Sequence, residues 1–308
     1  MPTTRPRSRR GLGTRAVPYA AIAPAAALFL AFFAAPIGFA IAMSFRGVHV
    51  KGLGLDPHSR TENWVGTRNY SEALGDSELW HGVLRTLAYG AFLLPVMLGL
   101  ALTFALLLDS ARARLTRFAR LAIFLPYAVP VVIASLLWGF MYLPTVSPFQ
   151  PLFHLLGIRM PDVLSNSTIL FSVANVGIWG GTGYNMIVIY TALRALPTEV
   201  YEAARLDGCS ELAMAVRVKV PMVAPALVLT GLFSIIATLQ VFSEPTTLMP
   251  IAKTISTTWT PLMKVYNDAF GRDDLYGAAA EAVVVAALML VLSFSLLRFV
   301  NKRAFGEN

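Results

Sequence analysis

Along the 308-residue chain, charged positions gather into short blocks separated by long stretches without any. Residues 16–45 contain no Asp, Glu, Lys or Arg, and the same holds for 86–108, 121–158, 163–193, 220–243 and, more briefly, 282–297. About 20 mostly apolar residues, rising ~1.5 Å each, cross the ~30 Å hydrocarbon layer of a bilayer. Five windows are long enough unaided. The sixth extends back through Tyr276–Ala280 if Glu281 lies near the outer interface or faces the protein interior. The pattern predicts six helices, over 17–43, 83–108, 121–142, 167–193, 222–243 and 278–299. The window 121–158 reads as one helix and an outer loop, because Pro144, Pro148 and Pro151 would break a second span. Pro36, Pro95, Pro126, Pro130 and the run Gly177, Gly180, Gly181, Gly183 fall inside the spans. For most of them packing is sufficient reason, but together they suit a bundle that changes shape.

Composition agrees with the pattern. The chain is 56% hydrophobic and only 14% charged, whereas a soluble domain carries about 25% charge. Disorder, a coiled coil and a disulfide scaffold are excluded, and the expected fold class is an all-α integral membrane protein. Cys209 is the only cysteine, so no intrachain disulfide forms. The net charge of +8 reads as topology. Sixteen Lys and Arg lie on one side, at the N-terminus (Arg5, Arg7, Arg9, Arg10, Arg15), after span two (Arg112, Arg114, Arg117, Arg120), after span four (Arg194, Arg205, Arg217, Lys219) and at the C-terminus (Arg298, Lys302, Arg303). Nine lie on the other, which makes the richer side and both termini cytoplasmic. The expected organisation is a basic tail over 1–16, a six-span domain over 17–300 and a second tail over 301–308. Ser8-Arg9-Arg10 resembles a twin-arginine signal, but Gly11-Leu12-Gly13 and the length of the following apolar stretch favour an uncleaved first span.

No P-loop, GxSxG, HExxH or CxxC occurs. His49, His58, His81 and His154 sit in or near outer loops with no pair at ligand spacing on one helix, so no metal site is expected. The basic residues are spread over four inner segments, which disfavours nucleic-acid binding.

One cytoplasmic segment, 196–221, is too polar to span yet strongly punctuated. Thr198 after Pro197 reads as an N-cap, Glu199 suits a first turn, Gly208 a C′ stop, and Ser210 a second cap before a helix that Pro221 ends or bends. A helix of about nine residues is unstable alone in water and must pack on something. Ala203 and Ala204 allow a close approach, and Glu202 offers a carboxylate to a basic partner. An amphipathic helix resting on its own protein explains the residues equally well.

Glu202-Ala203-Ala204, three residues, Gly208, nine residues, then Val218-x-Val220-Pro221 resembles the EAA signature of permease subunits of binding-protein-dependent ABC importers. The two valines are conservative departures from its Ile and Leu. Gly66-x-x-Asn69-Tyr70, Leu125-Pro126-Tyr127-Ala128-Val129-Pro130 and Leu239-Gln240-Val241-Phe242 are similar to elements of the carbohydrate branch, maltose- and glycerol-phosphate-type. The resemblance implies a type I permease bundle in a bacterial plasma membrane, an extracytoplasmic solute-binding protein, a second permease subunit that is usually a paralogue, and a cytoplasmic ABC ATPase dimer. It implies no cofactor in this chain, ATP being bound by the partner, and no enzymatic activity of its own. It makes 198–206 a coupling helix in which Glu202, Ala203, Ala204, Leu206, Asp207 and Gly208 face the ATPase.

Polar residues within spans are the candidates for a substrate path. Span four offers Trp179, Tyr184 and Asn185, and span five Ser234, Thr238 and Gln240. Aromatic faces and hydrogen-bonding groups suit a carbohydrate. The same Ser and Thr also serve as bonds to their own helix, and Asn as interhelical glue. Glu244 and Glu281 are placed at the outer interface, within reach of a docked binding protein. The alternative function is a stand-alone secondary transporter or channel driven by an ion gradient, which would call for intramembrane carboxylates; only Glu281, near a span end, is available.

Overall fold

The computed structural model describes residues 13–50, 60–110 and 115–305. Helix α1 (Gly13–Phe29) runs through a π-turn at Leu30–Ala34 into α2 (Ala35–Ser44). An antiparallel hairpin follows, β1 (Arg46–Val50) against β2 (Arg60–Trp64), with Arg46 opposite Trp64. Next come α3 (Arg68–Gly75), α4 (Ser77–Asp109), α5 (Thr116–Phe124) with a 3-10 turn at Leu125–Ala128, α6 (Val131–Tyr142), α7 (Gln150–Leu155) and α8 (Ile169–Arg194). The rest comprises α9 (Thr198–Leu206), α10 (Glu211–Met214), a π-turn at Ala215–Lys219, α11 (Val220–Met222), α12 (Ala224–Leu239), α13 (Ser243–Leu248), α14 (Pro261–Phe270) and α15 (Leu275–Phe305).

Among the described residues, three helices are long and apolar enough to cross a membrane, and five if each of two bent pairs counts as one span. The bent pairs depart from expectation. The single helix expected over 121–142 is broken by 97° between α5 with its 3-10 turn and α6. Val129, at φ −80° and ψ 126°, is extended, as the residue before a proline prefers to be. The segment Glu211–Met222 meets α12 at 67°. The helix expected over 222–243 ends at Leu239, and α13 begins afresh after Phe242. Helix α8, at 26 residues, is long enough to span but carries four glycines, two asparagines and several polar residues. Its setting accounts for this, because it lies inside the protein rather than against its outside.

The first helix begins at Gly13 and α15 reaches Phe305, so ordered helix extends into both segments read as tails. The readings on Arg5, Arg7, Arg9, Arg10, Lys51, His58, Arg112 and Arg114 lie outside the described residues.

The core is the pairing of α4 with α8. Tyr89, Leu93 and Met97 meet Val173, Ala174 and Val176 in one cluster; Ala101 and Ala105 meet Met186, Ile189 and Leu193 in another. Lipid offers no hydrophobic drive for such pairing, so close fit must provide it. Gly183 shows how close the fit is: a Cβ there would stand 2.2 Å from the Ile123 carbonyl oxygen, so α8 touches the backbone of α5 directly.

The Gly66-x-x-Asn69-Tyr70 element ties the start of α3 to the end of α2 and the start of β1. The Asn69 amide donates to the carbonyls of Ser44 at 2.9 Å and Arg46 at 2.7 Å. The Tyr70 hydroxyl pairs with that of Ser44 at 2.6 Å. The bond to Ser44 satisfies a carbonyl left open at the end of α2.

Candidate functional site

A cavity of about 780 Å³ opens between α4, the broken α5–α6 unit, α8 and the α12–α13 junction. The 3-10 turn aims Tyr127 into it, where the ring stacks on Tyr184 at 4.9 Å and 22°. Ser234 and Thr238, four residues apart, share one face of α12. Of the six expected path residues, Tyr184, Asn185, Ser234, Thr238 and Gln240 line the cavity. Trp179 does not: its ring packs edge-on against Trp138 at 6.1 Å beside the core.

Hydrogen bonding divides the five. Asn185, only 3% exposed, donates to the Gly181 carbonyl at 2.9 Å, accepts from the Ser234 hydroxyl at 3.2 Å and accepts from the Thr230 hydroxyl. It is interhelical glue between α8 and α12. Thr238 donates to the Ser234 carbonyl at 2.6 Å. Gln240, at the end of α12, is exposed.

The sequence reading missed Tyr89, Tyr127 and Glu244, all in the cavity wall. Tyr127 had a signal, since it lies between Pro126 and Pro130, residues of the type that kinks a helix. Glu244 is the first charge after window 220–243 and sits in the first turn of α13, where an acid complements the helix dipole. It faces the cavity. Glu281 is buried beneath Lys264 and is not available to a docked protein.

The second feature is α9, which spans the predicted residues 198–206. Pro197 occupies the cap position, so Thr198 is the first helical residue, not the N-cap, and makes no capping bond. Gly208 has φ +77°, a left-handed turn that glycine adopts freely. Ser210 caps α10, accepting from the Ala213 N–H at 3.3 Å. The Tyr201 hydroxyl donates to the Leu193 carbonyl at 3.1 Å, seating the helix on the end of α8. Ala204 is buried on this seat, whereas Glu202, Ala203 and Asp207 are exposed and Leu206 is 89% exposed. Below the helix, Lys219 pairs with Asp109 at 2.6 Å and lies 4.9 Å from the centre of the Tyr201 ring. Arg194 reaches the same Asp109 at 4.0 Å.

Residues 96–306 match the family described as the binding-protein-dependent transport system inner membrane component. The chain belongs to this family. It is 27% identical over 300 residues to the sn-glycerol-3-phosphate transport system permease protein UgpA of Escherichia coli, and to that of Salmonella typhimurium, covering 96% of this chain and 98% of each relative. Two structures share the fold at 18% identity. A bacterial ABC transporter involved in the import of the acidic polysaccharide alginate superposes with a TM-score of 0.74 over 94% of this chain and 96% of that one. A bacterial alginate ABC transporter in complex with alginate pentasaccharide-bound periplasmic protein gives 0.77 over 97% and 98%. The protein is a multi-pass inner-membrane permease subunit of an ATP-driven importer. Its work is transport, and the ATPase activity resides in a separate chain.

Proposed function

We propose that this permease forms one half of a heteromeric pair that carries a sugar or sugar derivative, with both termini in the cytoplasm and six spans. The three apolar helices, the two bent pairs and the polar α8 supply the six, and the distribution of Lys and Arg supports the orientation. A cytoplasmic ABC ATPase dimer binds the ATP, no cofactor is held by this chain, and an extracytoplasmic binding protein delivers substrate.

The observation that carries the coupling assignment is the exposed face of α9. A nine-residue helix is too short to be stable alone, and this one is seated by Tyr201 and Ala204 while presenting Leu206, Ala203 and Glu202 outward. A large apolar side chain beside a carboxylate and a methyl group suits a cleft with a basic rim on the ATPase. Gly208 holds the turn, with Asp207 beside it. Closure of the ATPase dimer then moves α9 as a rigid body and shifts the bundle between inward- and outward-open states. Tyr184, Ser234, Thr238 and Gln240 line the substrate path, with Asn185 bracing it. The relatives named for glycerol phosphate and alginate handle polyhydroxylated molecules, and a cavity with stacked tyrosines beside hydroxyl groups suits that class.

Glu202→Lys and Gly208→Val test the coupling role. Each variant is expected to insert normally while losing ATPase co-purification and uptake. Normal uptake in both would refute it.

A further inference from the structure

Glu244 is the only formally charged side chain in the cavity wall, and no Lys, Arg or His lines the cavity among the described residues. Two hydroxyl groups of the same wall are already committed as donors. Ser234 donates its proton to Asn185 and Thr238 to the Ser234 carbonyl. What these two hydroxyls have left for a ligand is therefore lone pairs, as the carboxylate of Glu244 has. Neutral donors remain on Gln240, on Ser243 and on the hydroxyls of Tyr89, Tyr127 and Tyr184, and the stacked rings of Tyr127 and Tyr184 form an apolar platform.

A wall with one carboxylate and no cation discriminates by charge. The hydroxyls of a saccharide donate to acceptors, and a carboxylate accepts from vicinal hydroxyls at two oxygens. A phosphate or uronate group brings acceptors of its own and like charge, and finds no cation to compensate. We infer that the cavity of this permease selects an uncharged saccharide over an anionic one, and that Glu244 determines that preference by accepting sugar hydroxyls and repelling anions. Glycerol phosphate and alginate, named for similar proteins, are both anionic, so the inference separates this chain from them. It rests on the importer reading and narrows its substrate class.

The facing permease subunit contributes its own wall, so the test varies only this chain and compares ratios. The assembled permease–ATPase complex in nanodiscs, without binding protein, is titrated with matched hexosides and hexuronides of gluco, galacto and manno configuration, and binding is read by saturation-transfer NMR. At least one methyl hexoside is expected to bind ten-fold or more tightly than its hexuronide. Glu244→Gln should bring that ratio to within about three-fold, and Glu244→Asp should preserve it. Hexuronides binding as tightly as hexosides, a ratio unchanged in Glu244→Gln, or an assembled and ATPase-active complex that binds neither class would each overturn the proposal. Failure of the complex to assemble at all would instead count against the importer reading.

Discussion

Helix α4 is tied down by buried charge at both ends, in opposite ways. Its 33 residues reach ~50 Å at ~1.5 Å each, so the two ties sit on opposite sides of the molecule. At the N-terminal end one cation serves three carboxylates. Lys264, 1% exposed, meets Asp76 at 2.8 Å, Glu281 at 2.7 Å and Asp268. Asp76 is also the N-cap of α4, accepting from the Glu78 N–H at 2.8 Å. Arg85 adds a bond from α4 to the Trp259 carbonyl at 2.6 Å. At the C-terminal end one carboxylate serves two cations, Lys219 closely and the exposed Arg194 loosely. The first arrangement locks α4 to α14 and α15. The second joins α4 to α8 and to the π-turn before α11, and sits directly under α9. One end is built to hold and the other to transmit a displacement.

The largest effect is expected from Lys264→Met. It leaves Asp268 and Glu281 buried without their cation, and Arg272, mostly in solvent at 3.1 Å from Asp268, does not replace it. Loss of one partner from such a cluster costs about 3–5 kcal/mol, seen as a lower melting temperature in detergent and poor yield. The same cluster fixes the pH response. Burial alone would lower the Lys264 ammonium, but its bonds to Asp268, Asp76 and Glu281 raise it. Burial alone would raise the Asp76 carboxyl, but Lys264 and the Glu78 N–H hold it below the ordinary value. A raised lysine contributes stability below its unfolded value of ~10.4 and a lowered carboxyl above its unfolded value of ~3.9. The contribution is therefore full between these and fades as pH falls below about 4. Thermal stability of the wild type should drop on acidification through that range, and in Lys264→Met the drop attributable to Asp76 should shrink.

A smaller cost in stability, about 1–3 kcal/mol, is expected from Asp109→Asn, because Asn still accepts a bond from Lys219 and the Tyr201 ring still faces the ammonium. Its effect on function should be the larger: basal ATP hydrolysis by the complex persists while uptake falls. Equal loss of stability and uptake in both variants would erase the contrast between the two ends.

The contrast was unevenly legible in the sequence. Helix α9 was readable to within a residue because its signals are local: a proline before it, a left-handed glycine after it, a serine cap beyond. The break at Val129–Pro130 was marked by its prolines, but a charge-free window favoured one continuous span, and nothing local distinguishes a kink from a 97° bend. The Lys264 cluster was invisible, since it joins residues 76, 264, 268 and 281, and only tertiary packing brings them together. The place of Glu244 in the cavity wall was hidden for a related reason: the end of a charge-free window says nothing of what the next turn of chain lines. Trp179 fell on a plausible span but on its core-facing side.

The most direct test of force transmission replaces Leu206 with cysteine in a Cys209→Ser background and pairs it with cysteines introduced around the ATPase cleft. Crosslinking is performed in native membranes with and without ATP. The account predicts a crosslink from residue 206 to the ATPase whose yield changes with nucleotide. No crosslink at any cleft position, in membranes where uptake is intact, would contradict it.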